Sequence, residues 1–281
     1  MTDVTDPCTP LAVTAPDGAR LSAVRHGGQV MTWTPAGGSR DQLWTSPLAT
    51  CGPGLAVRGG VPVIFPQFSG RGPLPRHGFA RDRAWQVGTS AGADGARVVA
   101  RFEDDEETRS IWPHGFTLVL TAVALGDALR LAVEVRNRGT TPFSFAVALH
   151  AYLRVRDAGR AVVHGLAGLP AEDNAAPGTL VRLPAGSLPA AGPRDVAVRG
   201  VPGPVTLNDP DGGGDVTLTL DGFDDLVVWN PGVGAEPSDV PGGHAAHFVC
   251  LEPARLDPVP LGPGEVWTAG ATFTASGHST V

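Results

Sequence analysis

Apolar and polar residues alternate with a period of two along much of this chain, the signature of strands with one face buried. The segments FTLVLTAVAL (Phe116–Leu125) and LRLAVEV (129–135) are the clearest cases, and Gly126-Asp127 between them supplies hairpin chemistry. Residues 143–149, 216–220, 226–229, 247–251 and 266–273 repeat the pattern, with turn-forming clusters at 137–139, 209–214 and 231–243. No window sustains a 3.6-residue period over three turns, so long helices are not expected. The acidic run 103–107 (EDDEE) reads as a solvated turn before the strand at Phe116. Residues 170–199, rich in Pro, Ala and Gly, read as a surface excursion. The fold class is all-β, a sandwich, in one continuous domain over residues 1–281.

Composition narrows the function. The 281 residues carry a net charge of −7, which argues against a nucleic-acid partner. Lysine is absent, which excludes Schiff-base chemistry and a lysine-bearing phosphate loop. The three cysteines (Cys8, Cys51, Cys250) are odd in number and lack a CxxC spacing, so neither a disulfide nor a zinc site is expected. Neither a leader-like start nor an apolar run of the ~18 residues that span a bilayer is visible. A cytoplasmic monomer without a membrane partner is expected.

The candidate chemistry lies in three places. Residues 58–81 (RGGVPVIFPQFSGRGPLPRHGFAR) gather Arg58, Arg71, Arg76, Arg81 and His77 among Gly/Pro turns, a cationic, loop-rich region suited to an anion. Pairing with surface carboxylates is the alternative, and Arg71, between two glycines, reads as solvated. His150 and Glu252 each lie at the end of an apolar strand, where burial moves a carboxyl upward and an imidazole can titrate near neutrality. A structural histidine, or a Glu252 paired with Arg255, is the plainer reading of each. Trp229 suits a core position and a sugar platform equally. His26, His114, His164, His244, His247 and His278 show no ligand spacing.

Four segments together resemble the hexose-6-phosphate mutarotase branch of the aldose 1-epimerase family: RGGVPVIFPQF (58–68), LPRHGFARDRAW (74–85), ALHAYLRV (148–155) and VCLEPARL (249–256). LVVWNPG (226–232) is a fifth. The resemblance implies a galactose-mutarotase-like β-sandwich that interconverts the anomers of a hexose 6-phosphate, its small-molecule partner, with no cofactor and no metal. Carried over by motif, it implies His150 as general acid, Glu252 as general base, and Arg58 and Arg81 as substrate-binding residues. Asp195 corresponds to a sugar-binding carboxylate. Arg76 stands where the family often has Gln, and Asp195-Val196 replaces its Asp-Arg pair. The forks of Arg58 and Arg81 suit bidentate phosphate contacts, Arg76 would strengthen phosphate binding or change which sugar fits, and His77 in the turn beside them reads as lining the site. The alternatives are a mutarotase of a free aldose and a non-catalytic carbohydrate-binding module.

Overall fold

The computed structural model of the protein describes residues 6–276 apart from positions 177 and 213. His278 therefore lies outside the described residues. The alternating segments form antiparallel strands. Phe116–Leu125 pairs with Ala128–Asn137 from Phe116↔Asn137 to Leu125↔Ala128. The turn between them is two residues long, and Gly126 adopts φ +59°, which a hairpin turn of this length favours in glycine. Leu129, Leu131, Val133 and Val135 point inward, while Arg130, Glu134 and Arg136 face solvent. Both strands lie in a nine-stranded sheet, and a three-stranded sheet (Leu11–Thr14, Arg20–Ala23, Val30–Thr34) precedes it in the chain.

The eight-stranded sheet positions the chemistry. Its strands are β1 (Val63–Ile64), β2 (Phe143–Leu149), β3 (Ala151–Arg154), β4 (Pro170–Asp173), β5 (Thr179–Arg182), β6 (Arg194–Val198), β7 (Asp225–Asn230) and β8 (Phe248–Leu261). They run in the order β5-β4-β6-β7-β8-β2-β1, and β3 also pairs with β8. One face (Val147, Leu149, Val196, Val228, Val249, Leu251) joins Leu118, Val133 and Phe273 of the nine-stranded sheet in the main core. That union makes the sandwich. The other face carries two smaller apolar clusters, one around Ile64, Phe68 and Ala254, the other around Trp44, Tyr152, Phe248 and Cys250. Truncating a fully buried leucine such as Leu251 costs ~2–5 kcal/mol, so the shared core holds the second face in register.

Three expectations are corrected. Residues 170–199 are not a surface excursion: β4, β5 and β6 extend the eight-stranded sheet, burying Ala171, Val196 and Val198. The strands are only four or five residues long, too short for the alternation to show through the Pro and Gly of their turns. Within the EDDEE run, a short helix (Glu106–Ile111) begins, capped by Asp105, whose side chain accepts from the Thr108 N–H while Thr108 Oγ1 accepts from the Asp105 N–H. Six residues are too few to reveal a helical period. Cys8 and Cys51 form a disulfide with Cα atoms 5.9 Å apart, leaving Cys250 as the free thiol. The odd count concealed a pair brought together by the fold across 43 positions.

Candidate active site

Strands β2 and β3 are one run interrupted at His150, and both pair with β8 in a single register: Ala148↔Ala254, then Ala151↔Leu251 and Tyr152↔Cys250. That register sets His150 opposite Glu252. Parity sends both side chains to the second face, where His150 Nε2 lies 3.3 Å from Glu252 Oε1. The His150 N–H donates to the Pro62 carbonyl at 2.9 Å, and its ring stacks on Tyr152 with centroids 4.8 Å apart. Glu252 is 1% exposed and His150 8%. Burial, reinforced by the charge of Asp195, pushes the Glu252 carboxyl well above its ordinary range, and Arg81 opposes this. Burial, then His77, Arg58 and Arg81, push the imidazole well below its own. Burial therefore favours the neutral form of each group.

Both residues line a small pocket of about 50 Å³ that opens to solvent. Neighbouring strands complete the floor: Asp195 on β6 lies opposite Trp229 on β7, and Val227 lies opposite Glu252. All three share the face of His150 and Glu252. The Asp195 Oδ1 accepts from Asn174 Nδ2 at 2.7 Å. Burial raises the Asp195 carboxyl, and Asn174 and Arg76 oppose that rise.

The wall comes from the HGFAR motif. Gly78 at φ +68° brings the chain so close to Phe65 that a Cβ there would lie 2.1 Å from the Phe65 carbonyl oxygen, so no other residue fits. That carbonyl accepts from the N–H groups of Phe79 and Ala80. His77, also at positive φ (+67°), donates its N–H to Ser69 O, and its Nδ1 accepts from the Ser69 N–H at 3.3 Å. The neutral ring therefore carries its proton on Nε2. Burial and the charges of Arg81, Arg76 and Arg58 depress His77 to about 3.

The four arginines of this segment divide. Arg58 donates to Tyr152 Oη at 2.9 Å and pairs with Asp239 at 3.0 Å; it stands behind the His150–Tyr152 stack and is not a pocket-lining residue. Arg71 is not solvated: it pairs with Glu172 at 2.9 Å and donates to Asn174 Oδ1 at 2.6 Å. Arg76 lies exposed at the pocket, and Arg81 is partly buried close enough to influence His77, His150 and Glu252. Among the described residues neither Arg76 nor Arg81 has a carboxylate partner within 4.0 Å. Arg255 pairs with Asp224 rather than Glu252, because residues three apart on a strand face opposite ways.

Sequence reasoning missed Tyr152, Cys250, Asn174 and the anchoring role of Arg71. Parity offered the first two, each two residues from a catalytic candidate. Asn174 lies in a Pro/Ala-rich turn and gave no signal. Trp229, left open by sequence, is partly exposed in the pocket with its ring edge-on to His150 at 5.6 Å. His26 bonds the Leu55 carbonyl and His247 the Arg156 carbonyl, away from the pocket.

A protein of Cenchrus ciliaris, provisionally named a glucose-6-phosphate 1-epimerase, is 32% identical over 263 residues, covering 89% of this chain and 79% of the relative. An Escherichia coli K12 protein with the same provisional name is 35% identical over 150 residues, 52% of this chain and 49% of its own length. The crystal structure of a Salmonella typhimurium protein, provisionally described as a mutarotase, superposes with a TM-score of 0.85 at 25% identity, covering 96% of this chain and 90% of the other. The sequence matches the aldose 1-epimerase family over residues 11–274, so the chain belongs to that family and is an enzyme of the epimerase and mutarotase kind.

Proposed function

We propose that the protein interconverts the α and β anomers of a hexose 6-phosphate, with glucose 6-phosphate the first substrate to test. The reading is carried by one juxtaposition: a buried carboxyl–imidazole pair 3.3 Å apart, in a pocket beside two arginines without carboxylate partners. The names of the relatives point the same way.

Anomer exchange needs one group to take the C1 hydroxyl proton while another protonates the ring oxygen. With the carboxyl protonated and the imidazole neutral, the forms that burial favours, proton transfer from Glu252 to His150 across the 3.3 Å contact yields a carboxylate base and an imidazolium acid at constant charge. Glu252 then takes the C1 hydroxyl proton and His150 protonates the ring oxygen as the C1–O5 bond breaks. Rotation about C1–C2 turns the open aldehyde, and closure on the other face returns both protons. Such general acid–base catalysis contributes ~10²–10⁴-fold. Asp195, held by Asn174, accepts from sugar hydroxyls, and Trp229 offers its ring to the sugar. Arg76, His77 and Arg81 receive the phosphate. Arg58, through Tyr152, holds the His150 ring in place. The enzyme works as a single-domain cytoplasmic monomer.

Magnetisation-transfer NMR on glucose 6-phosphate and on glucose, with Glu252→Gln as control, tests the reading. Exchange accelerated for the phosphate and lost in the variant is the expected result. Acceleration of glucose alone rejects the phosphate site, and acceleration of neither rejects the proposed reaction on glucose 6-phosphate.

A further inference from the structure

We propose that His150, Cys250 and Glu252 form a binding site for a zinc-class divalent cation, and that such a cation inhibits the enzyme by seizing its acid–base pair. One ligand atom from each of the three side chains lies within 4.8 Å of the other two, and all three residues are buried. Cys250 is two residues from Glu252 on β8 and opposite Tyr152, so parity turns its thiol to the face that holds the pair. The second carboxylate oxygen of Glu252 is buried and has no hydrogen-bond partner among the described residues. The pocket is lined by His150 and Glu252, which gives an entry path, while Cys250 lies outside its lining.

The geometry is close to what zinc takes. Tetrahedral bonds of ~2.0–2.3 Å set ligand atoms about 3.3–3.6 Å apart. His150 Nε2 and Glu252 Oε1 already stand at 3.3 Å, and the thiol needs to approach by about 1.5 Å at most. A donor set of one sulfur, one nitrogen and one oxygen suits zinc or cobalt. Magnesium and calcium need more oxygens.

The test is a Co²⁺ titration of the chelator-treated protein with its disulfide intact and no sugar present, so its outcome is separate from the proposed substrate. The expected result is a near-ultraviolet thiolate-to-cobalt band with intense visible four-coordinate bands. The thiolate band should vanish in Cys250→Ser. The Zn²⁺ concentration that halves each protein's own anomer exchange should rise at least tenfold in that variant. Absence of the thiolate band at saturating Co²⁺, its survival in Cys250→Ser, or an unchanged Zn²⁺ inhibition overturns the proposal. A site on the His244–His247 turn would bind cobalt without a thiolate band, and that outcome also counts against it.

Discussion

Replacing Arg81 with methionine separates a phosphate-binding role from a structural one. Methionine keeps much of the apolar stem and removes the charge. In the unliganded protein Arg81 has one weak contact, to the Arg76 carbonyl at 3.4 Å, and its guanidinium pKa is lowered chiefly by burial. Arg58 and Arg76 add like charge. Its removal should therefore stabilise the empty enzyme. A gain of ~0.5–1 kcal/mol corresponds to a rise in Tm of about 1–4 °C for a protein of this size. A charge-assisted hydrogen bond to phosphate is worth ~1.5–3 kcal/mol, so kcat/KM for glucose 6-phosphate should fall roughly 10–150-fold. Exchange of free glucose, measured by the same NMR method, should stay within about threefold of its unmodified rate if the lost interaction is with phosphate alone. Inorganic phosphate at 100 times its Kd should protect the unmodified enzyme by ~2.7 kcal/mol and protect the variant far less. A lower Tm, together with equal losses on both sugars, would show that Arg81 supports the fold and would refute the reasoning.

Glu252→Gln should reduce exchange of glucose 6-phosphate by ~10²–10⁴-fold at saturating substrate, with KM little changed; a loss confined to KM would count against a proton-transfer role. His77 titrates near 6.5 in an unfolded chain and at about 3 when folded, so protonation favours unfolding. Its contribution to stability is complete above pH 6.5 and lost as pH falls toward 3, at up to ~1.4 kcal/mol per pH unit. His77→Asn, a residue that tolerates positive φ, should flatten that part of the denaturation profile, and an unchanged slope would show that His77 is not its source. Replacing Cys8 and Cys51 together by serine should lower the Tm of the oxidised protein by roughly 4–16 °C, from the ~2–4 kcal/mol such a cross-link supplies, and an unaltered Tm would contradict this.

Much of the fold was legible because antiparallel strands advertise themselves by alternation over eight to ten residues, as 116–137 do. The short strands at 170–173, 179–182 and 194–198 did not, because their inward positions number only two or three and their turns dominate the local composition. The candidate pair was picked out by motif, and its geometry follows from register: a two-residue period sends His150 and Glu252 to one face once 148 pairs with 254. The same rule places Tyr152 and Cys250 beside them. Asn174 was invisible because its role depends on two partners, Asp195 and Arg71, that are 21 and 103 residues distant.

The arginine cluster illustrates what separates a charge pattern from a site. Sequence put four guanidinium groups within 24 residues and treated them as one feature. The fold gives Asp239 to Arg58 and Glu172 to Arg71, carboxylates 181 and 101 positions away, and these pairs brace the site's surroundings. Among the described residues Arg76 and Arg81 have no such carboxylate, which leaves their field available to a ligand. The whole chain carries a net charge of −7, which an incoming anion feels as repulsion at long range. At physiological ionic strength that repulsion is screened beyond ~8 Å, whereas two guanidinium groups beside a low-dielectric pocket act inside that distance. The arrangement therefore favours retention of an anionic sugar over long-range steering toward it. Salt should weaken its binding more than it slows its encounter, because the attraction operates only at the pocket mouth while the opposing net charge is screened as well.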